Sequence, residues 1–206
     1  MKAETLITGK KMFCMALLCV LILAISFQAS ATRITFDEDG VADGMAITDY
    51  YSGVKFNGFG LYPSGGNTGL GADYNAYAYQ DDHSLSGDNV LGVSVPGGAT
   101  YLQMGYNYAV VRFDNPTGYI SVEGVGDPFE VYVCSDFLTE DNIDNWQLYD
   151  IYEVDPGSGV VRFELNRTTL LPDGGIQTVL IGGKTGPAWF DNFTYGEPYV
   201  GALPIC

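Results

Sequence analysis

The sequence predicts an all-β chain: one antiparallel, jelly-roll-like β-sandwich in a single domain. Three observations carry that expectation. Short runs rich in Val, Ile, Phe, Tyr and Thr alternate apolar with polar residues. Gly, Asn, Asp and Pro punctuate them at intervals of about 8 to 12 residues, the spacing of an all-β fold. No stretch beyond the N-terminal leader holds a helical period. A chain of 206 residues, 47% of them hydrophobic, is long enough for one sizeable core.

The leader comes first. Lys2, Lys10 and Lys11 form a basic region, 12–27 is an apolar run broken only by Ser26, and Ala29-Ser30-Ala31 gives a small-x-small cleavage pattern. We read 1–31 as a signal peptide and 32–206 as the β-sandwich domain. The run falls short of the roughly 20 residues a spanning helix needs. Leu17-Leu18 ahead of Cys19 is no lipoprotein signal, and no later segment is apolar enough to cross a bilayer. The expected location is secreted, extracellular or at the cell surface, with no membrane association once the leader is removed.

Strands are expected at 33–38, 54–62, 76–80, 90–95, 101–113, 118–124, 129–134, 147–154, 160–165, 178–182 and 188–195. Ile34 and Phe36 alternate with polar neighbours in the first. Val54 and Phe56 do so in the second, and Glu130-Val131-Tyr132-Val133-Cys134 in the seventh is strand-like. A short helical turn is expected within 44–51. Loops fall at 64–75, 81–89, 96–99, 135–145, 155–159 and 171–175. Asp155-Pro156-Gly157 and Pro172-Asp173-Gly174-Gly175 are the strongest turn signals among them.

The formal charge is −16, and the leader carries off three lysines against a single glutamate, so the remainder is more acidic still. That excludes nucleic acid, which needs clustered Lys and Arg. It also disfavours docking on an anionic leaflet. Of four cysteines, Cys14 and Cys19 leave with the leader. Cys134 and Cys206 remain, and an oxidising compartment lets two cysteines form one disulfide. Two cysteines and the lone His83 do not make a zinc site.

Two segments carry a family resemblance. Ile34-Thr35-Phe36-Asp37-Glu38, then Asp43-Gly44, Tyr50-Tyr51 and Gly53-Val54-Lys55-Phe56, resemble the opening of secreted bacterial β-sandwich ectodomains of the PEP-CTERM (exosortase-substrate) type. Ala188-Trp189-Phe190-Asp191-Asn192-Phe193-Thr194-Tyr195-Gly196 is similar to the final strand of those domains. The resemblance implies cell-surface or matrix use and a carbohydrate-binding-like fold, with no specific activity. The family's Pro-Glu-Pro sorting signal has no counterpart, because Gly196-Glu197-Pro198 runs into Tyr199 and on to Cys206. The likeness is therefore to the ectodomain, without exosortase sorting.

Strict alternation puts Glu38 with Ile34 and Phe36, and Asp191 with Trp189, Phe193 and Tyr195, so both acids lie on apolar faces. Buried carboxylates need a shared cation, an Arg partner or a wet sheet end. Jelly-roll carbohydrate-binding modules, which this chain looks like, hold a structural Ca²⁺ between first and last strands. The resemblance thus implies Ca²⁺ at Asp37, Glu38, Asp191 and Asn192, with oxygen ligands of the kind a hard cation takes. Turn acids held by hydrogen bonds are the plain alternative. Asp39-Gly40-Val41-Ala42-Asp43-Gly44 reads as a turn.

Tyr74, Tyr77 and Tyr79 stand beside Asp82, and rings beside carboxylates suit a sugar face. Tyr101, Tyr106 and Tyr108 offer a second strip, while tyrosines also suit half-buried strand surfaces. His83 reads as a loop residue. Gly157-Ser158-Gly159 sits in a turn, and no nucleophile elbow exists. Glu123, Glu130, Glu153 and Glu164 permit too many pairings to define a glycosidase dyad. No catalytic residue is assigned. The reading is a secreted, non-catalytic surface or matrix protein binding an extracellular polysaccharide or another surface protein. The alternative is a glycan hydrolase or lyase on the same kind of sandwich.

Overall fold

The computed structural model describes residues 31–60, 76–93, 107–139, 141–143, 145–167, 175–184 and 186–196. Twelve strands lie among them: β1 (Thr32–Ile34), β2 (Met45–Ala46), β3 (Val54–Gly60), β4 (Ala76–Gln80), β5 (Asn89–Val93), β6 (Asn107–Thr117), β7 (Tyr119–Gly126), β8 (Phe129–Cys134), β9 (Asp150–Val154), β10 (Val161–Asn166), β11 (Ile176–Gly183) and β12 (Ala188–Gly196). A seven-stranded sheet runs β10-β7-β12-β5-β4-β2, with β1 also paired to β12. A five-stranded sheet runs β3-β6-β11-β8-β9. The described pairings are antiparallel, and the two sheets make a jelly-roll-like β-sandwich. Among the described residues no helix is long and apolar enough to cross a membrane.

Alternation explains the core. Ala78, Leu91, Phe190 and Val122 point inward from the seven-stranded sheet, and Phe56, Val111, Val131 and Val179 from the five-stranded one. Aromatic rings lock edge to face across the layers. Phe129 and Phe190 have centroids 4.9 Å apart, and Phe56 and Phe193 5.6 Å apart. Gly124 on β7 is required here: a Cβ would stand 2.6 Å from the Phe129 ring.

The five-stranded sheet buries its outer face as well. Phe59, Tyr108, Val110, Tyr132, Cys134 and Leu180 form a second apolar cluster with Leu138, Ile143 and Tyr149. The latter three come from the connection between β8 and β9, which lies over the sheet as a strap. Thr178, fully buried, accepts from Leu138 N (3.1 Å) and donates to Asp136 O (2.7 Å), stitching the strap down.

Several expectations are corrected. The segment 33–38 is extended only through Ile34, because Phe36 adopts φ +62° and turns the chain. The helical turn expected in 44–51 is instead β2 followed by turns. The segment 147–154 is not one strand: Trp146–Leu148 is a 3₁₀ turn, and β9 begins at Asp150. β6 runs on to Thr117. In β12 the register against β7 shifts between Asp191 and Thr194, with Asn192 at φ +52°. This bulge inserts one residue, so Trp189 and Asp191 lie on the outer face while Phe193 stays in the core.

Candidate functional site

Register fixes which side chains share the outer face of the seven-stranded sheet. Ala78 pairs with Leu91, and Leu91 with Phe190, and all three face the core. Their neighbours Tyr77 and Tyr79 on β4, and Trp189 and Asp191 on β12, therefore face outward. Tyr77, Tyr79 and Trp189 are half-buried there.

The β4–β5 loop folds back over that face of β12. Asp81 opens it. Its Oδ1 accepts the His83 backbone N–H at 2.9 Å, an Asx-type turn that an Asp at this position favours. The same oxygen lies 2.6 Å from His83 Nδ1, and Oδ2 accepts from Trp189 Nε1 at 3.0 Å. One carboxylate thus grips both rings, which stack at 3.8 Å and 13°. The His83 side chain is 46% exposed, so its outer ring face meets solvent. Burial pushes the Asp81 carboxyl up, but the His83 N–H, the His83 ring and Trp189 together hold it below the usual carboxylate range.

Beside the stacked pair lies a cleft of about 460 Å³, lined by Gln80, Asp81, Asp82, Ser84, Gly87 and Asp88. It offers carboxylates, an amide and a hydroxyl, and no basic side chain. Of the expected ligand residues, Asp82 lines the cleft, and Tyr77 and Tyr79 stand outward on the strand that enters it. Tyr74 lies outside the described residues, as do Tyr101 and Tyr106. Tyr108 is no surface platform: it is buried beneath the strap against Tyr132.

The four residues expected around Ca²⁺ are not gathered into one oxygen cage. Asp191, 1% exposed, accepts from Leu85 N (2.8 Å), Ser86 N (2.9 Å), Ser86 Oγ and its neighbour Asn192 N. Asp37 accepts from Asp88 N (3.0 Å), Asn89 N (2.9 Å) and Asn89 Nδ2 (3.0 Å). Glu38 turns elsewhere, to Thr35 N and the Tyr51 hydroxyl, both at 2.7 Å. Tyr51 is driven well above the usual phenol range, by burial first and then by this bond. Asn192 accepts two bonds from the Arg33 guanidinium and donates to Glu123. The donors at Asp37 and Asp191 are N–H and O–H groups, which satisfy the carboxylate oxygens. Among the described residues no group of three or more His, Cys, Asp or Glu is placed to share a metal ion.

Cys134 is buried as a thiol that burial pushes up, with Sγ accepting from Asp136 N. Its expected partner Cys206 lies outside the described residues. Sequence reasoning missed Trp189 as a site residue, the stacking role of His83, and the grip of Asp81 on both rings. The Asp-x-His turn was a local signal. The contact with a tryptophan on the last strand had none.

The chain matches no family model and no curated protein. Among solved structures it is similar to a mutant of the family 29 carbohydrate-binding module CBM29-2 complexed with mannohexaose. The identity is 12%, the match covers 83% of this chain and 94% of that one, and the TM-score is 0.43. A second structure of the same module, also a mutant, matches at 12% identity over 86% and 100% of the two chains, with a TM-score of 0.39. A mutant of a family 29 module matches at 12% identity over 82% and 94%, also at 0.39.

Proposed function

We propose that this chain is exported and acts as a non-catalytic β-sandwich that binds extracellular carbohydrate at the β4–β5 end of the seven-stranded sheet. The observation that carries the reading is the His83–Trp189 pair, fixed by Asp81 at the wall of a polar cleft. A sugar ring needs a flat aromatic face for its C–H surface and fixed acceptors for its hydroxyls. The exposed face of His83 and the half-buried Tyr77 and Tyr79 supply the first. Asp82, Asp88 and Gln80 supply the second. Two fixed rings also lose little conformational freedom when a ligand arrives.

The test is native affinity electrophoresis through gels containing glucomannan, hydroxyethylcellulose or alginate. Retardation by at least one gel is expected, and His83→Ala should weaken it about tenfold, the order of 1.4 kcal/mol for a lost stacking contact. No retardation in any gel would remove the reading. Release of reducing ends from a retarding polysaccharide would replace it with the hydrolase or lyase alternative.

A further inference from the structure

Beyond the rings and acceptors that meet a ligand, we infer that Asp37 and Asp191 are positioning residues that hold the β4–β5 loop, and with it the cleft, in its binding shape before any ligand arrives. This rests on the carbohydrate-binding reading above.

The two acids come from opposite ends of the chain and converge on one short segment. Asp191 takes the N–H groups of Leu85 and Ser86, and Asp37 takes those of Asp88 and Asn89. Four of the five backbone N–H groups from Leu85 to Asn89 are thus held by two carboxylates. Gly87 donates instead to Ser84 Oγ within the loop. Ser86 Oγ lies between the clamps, 2.9 Å from Asp191 Oδ2 and 3.5 Å from Asp37 Oδ2. The loop backbone is tied down from both sides, which leaves Asp82 and Asp88 facing the cleft.

Backbone geometry adds an independent observation. Among the described residues only two non-glycine residues have positive φ: Phe36 at 62° and Asn192 at 52°. Each adjoins one of the clamping acids. A left-handed Phe is costly and persists only where its surroundings over-determine it. Here the turn at Phe36 delivers Asp37 to the loop, and Asn89 Nδ2 bonds Phe36 O at 3.1 Å to hold that turn. The bulge at Asn192 sets Asp191 on the outer face, under the loop.

Gly87 completes the device. A Cβ there would stand 2.3 Å from Asp37 Oδ2 and 2.8 Å from Oδ1. Only glycine lets the loop close onto that carboxylate.

The experiment compares wild type, Asp37→Asn, Asp191→Asn and Gly87→Ala, with Val179→Ala as a control destabilised in the core away from the loop. Amide hydrogen exchange is read over 81–89, and retardation is read in the same three gels, well below the melting temperature. In the clamp variants the Leu85, Ser86, Asp88 and Asn89 amides should exchange about tenfold faster, as expected for loss of charge-assisted bonds. Retardation should weaken in parallel. Val179→Ala should melt lower yet keep its loop protection and its retardation, which a merely structural role for the acids would not predict. Unchanged loop exchange in both Asp variants would overturn the clamp. A loosened loop with undiminished retardation would overturn its role in binding. If wild type is retarded by no gel, the carbohydrate reading has failed on its own, and the exchange data alone decide whether the clamp exists.

Discussion

Asp81 shows how much one carboxylate organises here. Because its folded pKa is depressed, its contacts stabilise at any pH above the unfolded value of about 3.9 and are lost as pH falls through the folded value. The His83–Trp189 stack should therefore survive mild acid and separate only below about pH 4, followed as a change in tryptophan fluorescence. Tryptophan fluorescence unchanged by Asp81→Asn at neutral pH would show that Asp81 does not hold the pair. Asp81→Asn should remove the acid transition and destabilise the protein by about 1–2 kcal/mol at neutral pH, measured by urea unfolding. Asp37 and Asp191 raise a different question, since both were candidates for Ca²⁺. Their oxygens already face N–H and O–H donors, so saturating Ca²⁺ and EDTA should leave the melting temperature where it is. A rise with Ca²⁺ that EDTA reverses would show a shared ion at this corner, because a ligand of the folded state stabilises by about 2.7 kcal/mol at 100 times its dissociation constant.

At the scale of the element, the strap between β8 and β9 is the part whose loss is easiest to isolate. Thr178→Val keeps volume and shape but strands Leu138 N at a buried site and takes the Thr178 hydroxyl from Asp136 O. A cost of about 1–3 kcal/mol is expected, with faster exchange of strap amides than of β11 amides. Leu138→Ala should cost about 2–5 kcal/mol by opening a cavity over Leu180 and Val110. Equal loosening of strap and sheet would mean that the strap is no separate unit. Ala-Tyr alternation between turn residues places β4 to the residue, and the Val-Tyr-Val run does the same for β8. Both are period-2 signals, local by nature. The strap was legible only as a loop, because Phe137-Leu138 and Ile143 stand isolated among Ser, Asp, Thr, Glu and Asn. The faces of β12 were misread as one, since one inserted residue, invisible to a rule that counts by two, turns Trp189 and Asp191 outward while Phe193 faces the core. The candidate site was half legible. Tyr77, Tyr79 and Asp82 stand near one another in sequence and in space, but the partners of Asp37 and Asp191 lie about the loop between β4 and β5, and no local pattern announces a contact over such separations.

For the molecule as a whole, β1 joins the two ends of the described chain. Thr32 pairs with Tyr195 and Ile34 with Phe193, so the sheet takes up the chain from the residue that follows Ala31. Ala31 itself is exposed. Cleavage after Ala29-Ser30-Ala31 would therefore free the leader without removing any residue of β1, and the folded domain would keep the Arg33–Asn192–Glu123 chain of bonds that ties β1 to the bulge. A cut a few residues later would strip Arg33 and Ile34 and expose the core around Phe193. Mass spectrometry of protein recovered from the medium should accordingly find Thr32 at the N-terminus, and that protein should melt as one cooperative unit. Replacing Ala29 and Ala31 with bulky residues should leave the chain unprocessed and cell-associated, since the peptidase site demands small side chains. Recovery from the medium of protein that still begins at Met1 would overturn cleavage after Ala31, and a mature chain beginning past Ile34 would show that β1 is dispensable to the sheet.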